Sequence, residues 1–142
     1  MVDKPLIEQT YPVYAGDFLQ AGEASGSIKK FLRQLGVDSG IVRRVAIAAY
    51  EAEMNIVIHS VGGQLMLRVS PEYIMLISED NGPGIPDIEL AMQEGYSTAP
   101  EEAREMGFGA GMGLSNMKRC ADEFNIYSEV GKGTKLKIVI KL

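Results

Sequence analysis

Glu51 and Asn55 stand one helical turn apart in the stretch Glu51-Ala52-Glu53-Met54-Asn55. That spacing puts a carboxylate and a carboxamide on one face of a helix. The carboxylate can take a proton from a hydroxyl or a water, and the carboxamide oxygen can hold a hard cation such as Mg²⁺. Further on, Asp80-Asn81-Gly82-Pro83-Gly84 follows an apolar run. Asp80 can accept a hydrogen bond from an exocyclic amine such as adenine carries, and Gly82 and Gly84 leave the backbone bare enough for a flat ring to lie against it. A third segment alternates Gly107, Gly109, Gly111 and Gly113 ahead of a helical stretch. Free N–H groups and the positive end of a helix favour phosphate there. A base, a metal ligand, a base-reading acid and a phosphate-covering loop together compose a site for ATP with Mg²⁺.

Each piece also has a plainer use. At 100° per residue, Val42, Val45, Ala46, Ala49, Ala52, Ile56 and Val57 cover one wide side of the helix, while Arg44, Asn55 and His59 fall with Glu51 in an arc of about 80°. A polar stripe on a largely buried helix must be hydrogen-bonded, ion-paired or open to a cavity, because unpaired burial costs roughly 1–3 kcal/mol per group. On the helix alone, a surface stripe of Arg44, Glu51 and Asn55, with Glu53 and Arg43 as solvated neighbours, fits as well as a catalytic pair. Asp80-Asn81-Gly82 alone reads equally as an Asx turn ending a strand. The glycine run alone is a hinge, although strict alternation is entropically costly without a ligand. It is no Walker loop, for no lysine follows in the required place, and no strand precedes it as a dinucleotide fold requires. Arg104 and Lys118 flank the loop, placed for a terminal phosphate or for solvent. Gly131-Lys132-Gly133-Thr134 reads as a hairpin turn whose Thr134 hydroxyl can reach a purine. With one histidine, His59, and one cysteine, Cys120, a zinc cluster is poorly supported.

The elements that must position these residues follow from pattern. Leu6 to Tyr14 reads as a strand. Asp17 is placed to cap a helix running to about Leu35, with Gly36 as its stop. Asp38 or Ser39 caps a second helix over about Ile41 to Ser60, closed by Gly62-Gly63. Gln64 to Val69 and Tyr73 to Glu79 form a hairpin across Ser70-Pro71-Glu72. Pro86 to Met92 suggests a short helix, and the polar, glycine-bearing stretch from Gly95 to Gly111 a lid. A helix over Gly113 to Asp122, strands over Phe124 to Val130 and Thr134 to Leu142, and a turn between them complete the order. The fold class expected is α+β: a two-layer sandwich of a mixed β-sheet with helices on one face.

The chain has 142 residues, 46% of them hydrophobic, and a net charge of −5. Those values predict one compact domain over 1–142, with the lid at about 95–113. The acidic balance and the lack of a basic patch argue against nucleic acid and against an anionic membrane surface. The lone cysteine fits a reducing compartment, and the first ten residues hold no signal core, so a cytoplasmic protein is expected.

In this order the motifs resemble the Bergerat-type ATP-binding fold of gyrase, the ninety-kilodalton heat-shock chaperone, histidine kinases and the mismatch-repair ATPases. Glu51 and Asn55 match its N box, Asp80 to Gly84 its first glycine box, and Gly107 to Gly113 its second. The run Glu79 to Ile88, then Glu94-Gly-Tyr-Ser-Thr98, Asp122-Glu123-Phe124 and Gly131 to Thr134 resemble the bacterial anti-sigma regulatory serine/threonine kinases, above all their stressosome switch branch. The segment Ala99 to Met106, with Glu101, Glu102 and Glu105, lengthens the lid relative to that branch. The resemblance implies transfer of the γ-phosphoryl of ATP to a serine or threonine of a STAS-domain (anti-sigma antagonist) protein. Glu51 would take the proton, Asn55 would bind Mg²⁺, Asp80 would read adenine, and the lid glycines would wrap the phosphates. The rival implication is an anti-sigma module that sequesters a sigma factor or other regulator, with ATP as a structural ligand. A homodimer is compatible with either.

Overall fold

The computed structural model describes residues 7–16, 19–82 and 113–142. The expected cap at Asp17, the short helix from Pro86, the lid, Arg104 and the glycines Gly84, Gly107, Gly109 and Gly111 lie outside the described residues. The elements run β1 (Ile7–Val13), α1 (Glu23–Gln34), α2 (Ser39–His59), β2 (Gly63–Val69), β3 (Tyr73–Asp80), α3 (Gly113–Cys120), β4 (Glu123–Glu129) and β5 (Gly133–Lys141).

The helix pair is punctuated as the sequence predicts at two of its ends. The Asp38 carboxylate accepts from the N–H of Gly40 at 3.0 Å and of Ile41 at 3.3 Å, capping α2. α1 stops where Gly36, at φ 79°, turns left-handed. The N–H of Gly36 then reaches the Arg33 carbonyl and that of Val37 the Leu32 carbonyl, at 3.1 and 3.2 Å. The start of α1 differs from expectation: it begins at Glu23, after Gly22, with no side-chain cap from its own segment.

The five strands form one sheet in the order β1-β2-β3-β5-β4. The α+β sandwich holds, but every neighbouring pair among the described strands is antiparallel, where a mixed sheet was expected. β3 and β4, joined across α3, do point the same way. The last strand inserts between them and converts a parallel neighbour into two antiparallel ones. The β2–β3 hairpin is closed by Ser70, whose hydroxyl donates to the Tyr73 carbonyl and accepts the Tyr73 N–H, both at 3.1 Å.

The core lies between sheet and helices. Ile28 and Leu32 of α1, Val45, Ala49, Ala52 and Ile56 of α2, and Met117 of α3 are wholly buried against Leu65, Leu67, Ile74, Leu76, Ile138 and Ile140. Burying one such large aliphatic side chain stabilises by about 1.5–3 kcal/mol. α2 crosses over β2, β3 and β5 and is flanked by α1 and α3. Residues on its sheet-facing and flanking sides are therefore held rigidly. No helix among the described residues is long and apolar enough to cross a membrane.

Candidate functional site

Glu51 is half-buried on α2, and its Oε1 accepts a hydrogen bond from Asn116 Nδ2 at 3.3 Å. Seven residues earlier on the same helix, Arg44 donates from Nε to the Cys120 carbonyl at 3.0 Å and pairs with Asp122 at 3.3 Å. Earlier residues of α2 thus meet later residues of α3, so the two helices are antiparallel. The N-terminal end of α3, Gly113, consequently points toward the Asn55 end of α2. Asn55 is half-buried, and its carboxamide makes no hydrogen bond to the described residues.

The same end of α2 is tied to the glycine turn after β3. The Ser60 hydroxyl donates to the Gly82 carbonyl at 2.8 Å, and the Asn81 N–H donates to the Gly62 carbonyl at 3.2 Å. Asp80 alternates in phase with Ile74, Leu76 and Ser78 on the helix-facing side of β3. Its Oδ1 accepts the Gly82 N–H at 3.0 Å, which is the Asx turn the sequence allowed. Its second carboxylate oxygen is left without a hydrogen bond among the described residues.

β5 closes the floor. The β3–β5 ladder ends with Glu79 opposite Lys135, so the next step sets Thr134 opposite Asp80 on the same face. Gly133, at φ 122°, passes so close that a Cβ there would overlap the Asp80 carbonyl oxygen. Only glycine fits at that crossing. The Thr134 hydroxyl lies 2.9 Å from the Ser128 hydroxyl, a cross-strand pair that orients it at the edge of this floor. Glu51, Asn55, Asp80, Gly82, Gly113 and Thr134 are therefore distributed around one end of the helix–sheet interface. Lys118 is exposed in the last turn of α3, away from Gly113.

Three residues carry more of this arrangement than sequence reading assigned them. Asn116 holds the Glu51 carboxylate, Ser60 ties α2 to the glycine turn, and Glu53 is no solvated neighbour of the stripe. It is 3% exposed. Its carboxylate accepts the N–H groups of Gly22 at 3.0 Å, Ala24 at 3.2 Å and Ser25 at 3.0 Å, capping α1 from another helix. Arg44, which one of the two readings of the sequence set in a surface stripe, joins α2 to the end of α3 and to Asp122 just before β4. Around these groups, burial pushes the Tyr50 hydroxyl up, and Glu51 and Glu53 add to that rise. Burial also raises the Cys120 thiol, with Arg44 opposing and Glu51 reinforcing the shift.

The donor set suits a magnesium–nucleotide ligand. The carboxamide oxygen of Asn55, without a hydrogen bond among the described residues, is a hard ligand, and among those residues no three acidic, histidine or cysteine side chains gather to form a full protein cage. Magnesium bound through one or two protein oxygens and completed by phosphates matches that chemistry.

Comparison with known proteins places the arrangement. A 111-residue stretch is 32% identical to the serine/threonine-protein kinase RsbT of Bacillus subtilis, covering 75% of this chain and 77% of that one. The anti-sigma F factor of Clostridium kluyveri is 33% identical over 115 residues, 78% of each chain. The structure of the SiaB–SiaC complex from Pseudomonas aeruginosa shares the fold, with a TM-score of 0.61 over 97% of this chain and 90% of that one, at 13% identity. The family described as histidine kinase-, DNA gyrase B-, and HSP90-like ATPase matches residues 40–142, which run from the start of α2 through β5 and hold every site residue named above. The chain belongs to that ATPase family.

Proposed function

We propose that this protein is an ATP-dependent serine/threonine kinase in a partner-switching pathway, acting in the cytoplasm on a STAS-domain protein. The single observation that carries the reading is Glu51. It is a carboxylate held, among the described residues, by one side-chain donor, on the helix that also carries Asn55, whose end is tied to the Asp80 turn. Relatives that match most of the chain, one named a serine/threonine-protein kinase and another an anti-sigma factor, support the same reading.

In this mechanism Asp80 accepts a hydrogen bond from the adenine amine, with Thr134 beside it on the same face. Asn55 would hold Mg²⁺, which when bound would neutralise charge on the phosphates. Gly113 and the start of α3 present backbone N–H groups to the phosphate end. Glu51 takes the proton from the incoming serine or threonine hydroxyl. The oxygen then bonds to the γ-phosphorus as the bond to the bridging β,γ-oxygen breaks, releasing ADP. Asn116 keeps the Glu51 carboxylate aimed while one of its oxygens remains open for the proton. A purely sequestering role needs no base, so a carboxylate held in this way favours transfer.

Incubation with Mg²⁺, γ-labelled ATP and a panel of purified STAS-domain proteins tests the proposal. Acid-stable label on a serine or threonine of one STAS protein is expected, lost when Mg²⁺ is chelated. Label released only as inorganic phosphate would make the protein an ATPase rather than a kinase.

A further inference from the structure

Resting on the kinase reading, we infer that the shoulder between α1 and α2 beside Glu51 is the docking surface for the phosphoacceptor protein, and that it reads an apolar patch ringed by acidic side chains. Gly26 is the first observation. It lies inside α1, is exposed, has an ordinary helical φ, and a Cβ there would meet nothing within 4 Å. Glycine in a helix interior is destabilising relative to alanine. Nothing within the described residues fills the space a side chain would take, which leaves room for a surface that approaches from outside.

The position of that vacancy is the second observation. The Glu53 bond to Ser25 marks the flank of α1 that faces α2. At about 100° per residue, Gly26, Lys29 and Arg33 form the shoulder next to that flank, with Gly22 just ahead of the helix. A Cβ on Gly22 would stand 3.7 Å from the Tyr50 ring, so Tyr50 borders this bare stretch of helix. Tyr50 is 38% exposed and Ile47 37%, on a helix whose Val45, Ala48, Ala49 and Ala52 are wholly buried. Ile47 lies one turn before Glu51, and Tyr50 is its immediate neighbour. Together the glycines, the isoleucine and the tyrosine make a shallow apolar notch that runs up to the proposed base.

Charge supplies the third observation. Lys29, Arg33 and Arg43 sit along the same shoulder without an acidic partner among the described residues, in a chain of net charge −5. An acidic protein surface is drawn to this rim. Among the described residues the sheet fills one side of α2 and α1 and α3 its flanks, which leaves the side carrying Ile47 and Tyr50 for a macromolecule that delivers a hydroxyl to Glu51. The notch is the apolar part of that open side next to Glu51.

The test uses the full chain and whichever STAS-domain protein of the panel it phosphorylates fastest. Gly26→Leu is expected to raise the melting temperature, because leucine favours helix and meets no neighbour, yet to raise KM for the STAS protein at least fivefold. ATP affinity and kcat at saturating partner should stay within about twofold. The double variant Arg33→Glu/Arg43→Glu should raise KM at least tenfold and abolish the salt sensitivity of the parent's KM. A stabilised Gly26→Leu with the parent's KM, or a charge-reversed variant with unchanged KM and salt dependence, overturns the docking surface while leaving the kinase assignment standing. Absence of transfer to any STAS protein by the parent chain overturns both.

Discussion

Two carboxylates on α2, Glu51 and Glu53, stand two residues apart and point to opposite sides of the helix. Glu53 is buried and receives three backbone N–H groups from the start of α1. Glu51 is half-buried and, among the described residues, receives one side-chain N–H, from Asn116. A carboxylate saturated by donors is a fixed negative charge: it balances the exposed N–H groups and positive end of a helix and has little lone-pair capacity to spare. A carboxylate held by one donor is oriented yet still able to take a proton. On the proposed mechanism, one residue type at nearly the same height on one helix is thus divided between holding the fold and taking a proton from a substrate.

The largest effect should come from Glu51. Glu51→Gln keeps the size and the acceptor for Asn116 but cannot take a proton. Phosphoryl transfer should fall by roughly 10²–10⁴-fold, with ATP affinity and unfolding stability close to the parent's. Single-turnover transfer with labelled ATP reads the first quantity, and calorimetry and urea titration read the others. A variant that transfers at the parental rate would place the base elsewhere.

Glu53 should show the reverse pattern. Glu53→Ala leaves three N–H groups at a buried helix start without their acceptor, for a cost of about 2–4 kcal/mol in unfolding free energy. Glu53→Gln, retaining one carbonyl oxygen, should lose less. If Glu53→Ala unfolds at the parent's urea midpoint while transfer collapses, the division between the two glutamates is wrong, and Glu53 belongs to the chemistry.

Why Glu51 was legible in the sequence and Glu53 was not follows from the range of their partners. The Glu51–Asn55 spacing, the Asp38 cap, the Gly36 stop and the β2–β3 hairpin are all written within a few residues, where helical and strand periods can be read directly. The donors to Glu53 are backbone N–H groups some thirty positions earlier, which no residue type announces. The same remote cap explains why α1 begins at Glu23 rather than near Asp17: its start is fixed by α2. Asn116 and Ser60 escaped for a related reason, because their roles depend on how α3 and the glycine turn meet α2. The all-antiparallel pairing turns on β5 inserting between β3 and β4, a choice that strand patterns alone leave open.

A third carboxylate sharpens the comparison at lower energy. Asp122 accepts the Lys141 backbone N–H at 2.7 Å and faces Arg44 at 3.3 Å. The Lys141 hydrogen bond, more than Arg44, holds its carboxyl below the ordinary carboxylate value, against a smaller opposing effect of burial. A group whose folded value is depressed contributes stability above its unfolded value, and that contribution is lost as pH falls through the folded one. Asp122→Asn should therefore be less stable than the parent at about pH 6, and the gap should close as pH drops below about 4. Because the pair is partly exposed, added salt should shrink the Arg44 share of the gap and spare the Lys141 share. Urea midpoints for parent and variant across that range measure it. A gap that persists unchanged into acid would show that Asp122 acts by packing alone, leaving the Arg44 link between α2 and α3 to the Cys120 carbonyl.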